Sequence, residues 1–169
     1  WNADNLLLKR GIAFSPVKFG ISFTLTHLNQ AGALVQIYMD GSVLINHGGT
    51  EMGQGLFQKV SQVAARSLGV TQSSIRPSAT DTSKVPNTSA TAASSGTDLN
   101  GMAIQAACKT LRSRLQNHLA DVYDCPADSI LFEADQVVGP NFNLSWAGVV
   151  KSAYEARISL SATGFYKTP

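Results

Sequence analysis

Leu34-Val-Gln-Ile-Tyr-Met39, then Asp40-Gly41, then Ser42-Val-Leu-Ile-Asn46 is the stretch on which the fold turns. Asp-Gly between two β-rich runs predicts a hairpin with a two-residue loop, because a type I′ turn needs positive φ at both central positions. The second strand runs straight into His47-Gly-Gly-Thr-Glu-Met-Gly-Gln-Gly-Leu56, with glycines at 48, 49, 53 and 55. Glycine lets a ligand approach the main chain closely. A helix starting directly behind such a loop presents unpaired N–H groups and the positive end of its dipole, which suits phosphate or another anion. That preference is modest, about 0.3–1 kcal/mol for an exposed negative group. Gln54 adds an uncharged donor. The stretch reads as an anion-holding loop, with an ordinary tight turn as the alternative.

The neighbouring segments supply the rest of an α+β chain. Leu56, Val60, Val63, Ala64 and Leu68 recur at helical spacing and predict a helix over 54–68, with Gly69 at its C′ position. Ser74 to Ala79 is a short strand interrupted by Pro77. Thr97 or Asp98 is expected to cap the longest helix, whose apolar row is Ile104, Cys108, Leu111, Leu115, Leu119 and Val122, ended by Asp124-Cys-Pro-Ala. Two short strands, Ile130–Glu133 and Gln136–Val138, precede a helix capped by Ser145, and Arg157 to Gly164 reads as extended. Upstream, Ile12, Phe14, Val17, Phe19, Ile21 and Phe23 alternate within 9–28 and predict one strand, or two broken near Pro16. Between the first two helices, Thr80 to Gly96 has the small polar residues of a linker. An ordered loop against which a flat ligand could lie fits the same composition. Strands and helices mix without regular β-α-β alternation, so the class is α+β rather than doubly wound.

Composition excludes several functions. The chain has 169 residues, 13 basic and 11 acidic, for a net charge of +2. The basic residues are scattered, so no nucleic-acid footprint is visible. No apolar run approaches the ~20 residues that span a bilayer, and no signal peptide opens the chain. Cys108 and Cys125 form no metal-ligand spacing and read as free thiols of a reducing, cytoplasmic setting, with a disulfide between them as the alternative. The chain starts at Trp1 and stops at Pro169 as though cut from something longer. The glycine-rich stretch is neither a Walker A nor a G-x-G-x-x-G. His47 is a possible base or ligand, with a structural role as the simpler reading. Glu51 is a possible base, equally explained as a charge at a helix N-terminus. Phe19 and Phe23 could stack on an aromatic ligand or simply pack in the core.

Four motifs in order add a resemblance: Lys18-Phe-Gly-Ile-Ser-Phe-Thr24, Gly48-Gly-Thr-Glu-Met-Gly-Gln-Gly55, Thr82-Ser-Lys-Val-Pro-Asn-Thr-Ser-Ala-Thr-Ala-Ala-Ser94 and Thr163-Gly-Phe-Tyr-Lys-Thr-Pro169. Together they resemble the molybdenum-cofactor domain of the xanthine dehydrogenase family (the xanthine oxidase/aldehyde oxidase group), in a bacterial-type large chain. The resemblance implies that residues 1–169 are part of a molybdopterin-binding domain. Met52, Gly53 and Gln54 then match the loop that holds the molybdopterin, with the glutamine near its phosphate. Ala92, Ala93 and Ser94 match the segment beside the metal, continued by Ser95 and Thr97; Gly96 stands where animal members carry a serine. Phe23 matches an aromatic that meets the purine edge-to-face, Thr24 a substrate hydrogen-bonder, and Leu28 a channel-lining position. Aldehyde oxidases diverge at Phe23 and at the Ala92-Ala93 pair, so the resemblance implies hypoxanthine or xanthine as substrate; the alternatives are an aldehyde or other N-heterocycle hydroxylase, or a non-catalytic binding module.

It also implies electron transfer through [2Fe-2S] centres and FAD to NAD⁺, a hetero-oligomeric setting with an FAD/iron–sulfur partner, and a metal held through pterin sulfurs without a protein ligand. The family's catalytic glutamate lies in a Gly-Glu-Pro-Pro motif further toward the C-terminus. No catalytic residue is therefore assigned within 1–169, and the chain alone is expected to be inactive.

Overall fold

The hairpin forms, with a different turn. In the computed structural model, which describes residues 1–18, 20–84 and 87–169, strand β1 (Gln30–Ile37) pairs antiparallel with β2 (Val43–His47). Tyr38 N–H donates to the Ser42 carbonyl and Gly41 N–H to that of Tyr38, while Gly41 alone in the turn has positive φ, at +86°. This is a three-residue loop with a left-handed glycine at its end, not a type I′ turn, which needs positive φ at two positions. The Trp146 indole explains the choice. Its Nε1 donates to the Gly41 carbonyl at 2.8 Å, and a Cβ on Gly41 would lie 2.9 Å from its ring.

Beyond β2 the chain forms helix α1 (Leu56–Leu68), two residues later than its apolar spacing suggests, and then strand β3 (Ile75–Pro77), which pairs parallel to β2. One β-α-β crossover is thus embedded in the sheet, and the glycine-rich loop sits at the carboxyl end of its first strand, where such crossovers commonly bind ligands. Pro77 closes β3, as a proline without an N–H does on an edge strand. Helix α2 (Gly96–Tyr123) starts earlier than expected: Ser95 is the N-cap, and Asp98 lies inside the first turn. Its apolar row from Leu99 to Leu119 is buried, whereas Val122 is exposed in the last turn.

Strands β4 (Leu131–Glu133), β5 (Gln136–Gly139) and β6 (Phe142–Ser145) make a separate antiparallel sheet. The third of these strands was not legible as one. Ser145 caps helix α3 (Trp146–Glu155), its hydroxyl accepting from Gly148 N–H. The last strand, β7 (Ser161–Lys167), lies antiparallel against β1, which completes a four-stranded sheet of order β3-β2-β1-β7. The fold is α+β, with helices α1 and α2 covering one face of that sheet. Val35, Ile45, Leu56, Val60, Ile104, Leu111, Leu115 and Leu119 fill the space between, each fully or almost fully buried. Each such side chain contributes about 1.5–3 kcal/mol over its exposed state.

The strand expected within 9–28 is absent among the described residues. Apart from a 3₁₀ turn at Thr26–Leu28 the described part is irregular, with Ile12, Phe14 and Val17 exposed. Alternation stabilises a strand only when a neighbour completes its hydrogen bonds, and this segment has none among the described residues. Phe19 lies outside the described residues, as do Val85 and Pro86 of the third motif. Phe23 is half-buried in this irregular segment and is not part of the core.

Candidate cofactor-binding cleft

The stretch between the first two helices, linker-like in composition, is tied to the glycine-rich loop. Thr80 Oγ1 donates to the Gly49 carbonyl at 3.0 Å, and Thr50 N–H donates to Thr91 Oγ1 at 2.8 Å. Gly48 and Gly49 are glycines for packing. A Cβ on Gly48 would collide with the Thr88 side chain, and one on Gly49 would lie 2.5 Å from Leu56 Cδ2 and 2.8 Å from Asn100 Nδ2. Gly53 and Gly55 serve geometry, with φ of +93° and +74° and open space where a Cβ would be.

The loop's hydrogen bonds correct the electrostatic expectation. Glu51 folds over the N-terminus of α1, and its carboxylate accepts from the N–H groups of Gly53, Gly55 and Phe57 at 2.9–3.0 Å. These bonds, that of Phe57 first, hold its carboxyl below the ordinary value of 4.5. The first N–H groups of α1 are therefore already taken by the chain's own anion. Gln54 is likewise turned inward: its Oε1 accepts from Met52 N–H at 2.6 Å and its Nε2 donates to the Thr50 carbonyl at 2.9 Å. One Nε2 hydrogen is left over. Glu51 acts here as a cap and not as a free base.

The helix end that faces open space is that of α2, which no side chain caps. Between it and the glycine-rich loop lies a cleft of about 370 Å³, lined by Met52, Gln54, Leu56, Lys59, Thr91, Ala92, Ser94, Gly96 and Thr97. Of the residues singled out from sequence, Met52, Gln54, Ala92, Ser94 and Thr97 converge here. Gly53, Ala93 and Ser95 support the walls: Ser95 is buried, with its hydroxyl donating to the Ala92 carbonyl. Ala93 and Ser94 are both left-handed, with φ of +53° and +54°. Such a conformation costs a non-glycine residue on the order of 1–3 kcal/mol and is concentrated at binding sites.

Phe23, Thr24 and Leu28 do not line the cleft. Ser22, just before Phe23, donates its N–H to the Ala93 carbonyl at 3.0 Å and so ties that segment to the cleft wall.

Lys59, Leu56 and Thr91 were missed in sequence. Lys59 lies three residues beyond Leu56 on the helix that leaves the loop, a spacing that puts both on one side. A larger groove of about 730 Å³ lies elsewhere, lined in part by Tyr38, Met39, Tyr154 and Arg157. None of the residues singled out from sequence lines it, whereas five line the smaller cleft.

Its lining suits an anionic, flat group. Hydroxyls of Thr91, Ser94 and Thr97 and the Lys59 ammonium offer donors, Ala92 and Gly96 leave a low wall, and no carboxylate lines it. No thiol or imidazole lines it either. His47 stays out: it is buried, its Nδ1 accepts from Gly49 N–H at 3.1 Å, and burial pushes its imidazole down to about 4. Cys108 is buried in α2, its thiol pushed up to about 12 by burial, and is inert at neutral pH. No helix of the described residues is long and apolar enough to cross a membrane.

The fold has counterparts. The model of the molybdopterin cofactor-binding domain matches residues 2–169, and the chain belongs to that family. Among curated proteins it is similar to the xanthine dehydrogenase/oxidase of Gallus gallus, 51% identical over 169 residues, which is all of this chain and 11% of that protein. The xanthine dehydrogenase of Calliphora vicina is 48% identical over the same span, again 11% of its length. Among solved structures, quinoline 2-oxidoreductase from Pseudomonas putida 86 superposes with a TM-score of 0.75 at 25% identity, covering 82% of this chain and 19% of that one. CO dehydrogenase from Oligotropha carboxidovorans shares the fold at a TM-score of 0.74 and 20% identity, over 82% of this chain and 18% of its own.

Proposed function

We propose that this chain is the part of a xanthine dehydrogenase that holds molybdopterin and one side of the purine pocket. The carrying observation is the cleft, where five residues singled out from sequence meet without a carboxylate. In this reading residues 1–169 are a portion of a larger molybdopterin-binding domain. Met52, Gly53 and Gln54 hold the cofactor on one side, and Ala92, Ala93, Ser94, Ser95 and Thr97 on the other. Lys59 and the N-terminus of α2 face its phosphate. The molybdenum centre, when bound, supplies the redox chemistry that hydroxylates a purine carbon.

This chain's residues position and shield. Phe23 orients the purine by its edge, worth about 0.5–1.5 kcal/mol beyond buried area. Thr24 donates or accepts beside it, and Leu28 lines the way in. The substrates are hypoxanthine and xanthine, the products xanthine and urate, and NAD⁺ is the final acceptor through FAD and [2Fe-2S] centres carried elsewhere in a cytoplasmic, hetero-oligomeric enzyme of purine catabolism. The identity to enzymes named xanthine dehydrogenase, 48–51%, favours purines over aldehydes.

Two substitutions in the full-length enzyme test the assignment. Gln54→Ala is expected to lower bound molybdenum several-fold, since a neutral hydrogen bond contributes about 0.5–1.5 kcal/mol. Phe23→Ala is expected to leave molybdenum unchanged and reduce kcat/KM for xanthine more than for benzaldehyde. Wild-type molybdenum content in Gln54→Ala sinks the cofactor assignment, and equal losses on both substrates sink that of Phe23.

A further inference from the structure

Asn29 is polar, 4% exposed, and grips a neighbouring loop. Its Oδ1 accepts from Phe23 N–H at 2.8 Å and its Nδ2 donates to the Phe23 carbonyl at 2.8 Å. One side chain thus satisfies both backbone polar groups of a single residue, as a neighbouring strand would. Only a side chain with a donor and an acceptor side by side does this. Aspartate offers no donor at neutral pH, leucine offers neither group, and glutamine reaches too far.

The grip is rigid at its base. Asn29 N–H donates to the Thr26 carbonyl at 3.0 Å and its carbonyl accepts from Thr168 N–H at 3.1 Å, next to the β1–β7 pairing. The far side of the loop is fixed as well. Ser22, at φ +84°, donates its N–H to the carbonyl of Ala93, the residue between cleft-lining Ala92 and Ser94. Phe23 is therefore held between two anchors, one on the sheet and one on the wall of the cleft. Asn2 holds both backbone groups of Arg10 in the same way, but only the Phe23 clasp stands next to a bond to the cleft wall.

We propose that Asn29 is a positioning residue that sets the Phe23 ring against the cofactor strip and so governs preference for flat heteroaromatic substrates over small aliphatic ones. This rests on the reading that Phe23 faces the purine. Asn29 itself touches no substrate. Without it the Phe23 backbone gains freedom, and the ring edge meets the heterocycle in a spread of orientations.

The test uses the full-length, molybdenum-loaded enzyme with Asn29→Leu, branched at the same atom but without donor or acceptor, and Asn29→Asp, which keeps only the acceptor. Molybdenum content and kcat/KM for xanthine and for acetaldehyde are measured in each. In Asn29→Leu, kcat/KM for xanthine is expected to fall about tenfold, mostly through KM, as two buried hydrogen bonds are lost. Molybdenum and acetaldehyde turnover are expected to stay within about twofold, the scatter of a distant change. Asn29→Asp should fall between. Unchanged xanthine kinetics, or equal losses on both substrates, overturns the proposal. If Asn29→Leu does not fold, the xanthine-to-acetaldehyde ratio of Asn29→Asp decides by the same criterion. A wild-type enzyme that oxidises acetaldehyde but no purine would instead overturn the reading of Phe23, and the assignment of Asn29 with it.

Discussion

Gly164→Ala is expected to cost about 3 kcal/mol or more of folding stability, although it adds one methyl group. Gly164 sits in the middle of β7, opposite Ala33 of β1, where α2 crosses the sheet. A Cβ there would overlap the Ala103 carbonyl oxygen and lie 2.6 Å from the Ala107 nitrogen. Both are backbone atoms of a helix, and no rotamer change relieves the contact. Ala103 and Ala107 are themselves small and fully buried, so strand and helix meet main chain to main chain. Overpacking costs about 1–3 kcal/mol where side chains yield, and more where a whole strand must lift. A domain has only about 5–15 kcal/mol to lose. Urea denaturation of the 169-residue chain measures it. Gly20→Ala, with no atom within 4 Å of its Cβ, is the control and should shift stability by less than about 0.5 kcal/mol. Equal midpoints for the two variants would refute the close approach.

The second large effect is one of pH. The folded imidazole of His47, lowered by burial from 6.5 to about 4, refuses a proton that the unfolded chain accepts. Between those values the unfolded state binds more protons, so stability rises with pH. This contribution is complete above pH 6.5, declines as pH falls to about 4, and loses nothing further below that. At about 1.4 kcal/mol per pH unit it comes to on the order of 3 kcal/mol. Glu51, Asp40 and Asp81 have lowered values and lose their contributions on the acid side of the ordinary carboxylate range. The window from pH 6.5 down to about 4.5 therefore belongs to His47. In His47→Asn, whose Oδ1 can replace Nδ1 as acceptor for Gly49 N–H, the slope of stability against pH should vanish in that window and persist below it. A slope unchanged in His47→Asn would assign it to another group.

Much of the fold was legible because local chemistry and tertiary packing agreed. Asp40-Gly41 marked a turn, Gly69 ended a helix and Ser145 began one. Where they disagreed, packing prevailed. The turn took a longer form because Trp146, far along the chain, needs the Gly41 carbonyl. The described residues of 9–28 make no strand, because none of them pairs with a neighbouring strand among the described residues. The cleft was half legible. The glycines pointed to it, but Gly48 and Gly49 are small for the sake of Thr88 and Asn100. The inward turn of Glu51 also moved the open helix end from α1 to α2. No spacing rule shows a side chain closing its own helix, and Lys59 gave no signal beyond its place on a helical face.

The bond from Thr50 to Thr91 joins residues 41 positions apart. Its consequence concerns the order of events. Neither wall of the cleft is a site alone: one is a capped loop, the other the start of a helix whose apolar face needs the sheet. The two walls meet only once α1, α2 and the four-stranded sheet have come together. On the proposed reading of the cleft, loading is therefore expected after folding, with the binding energy accruing to the finished structure alone.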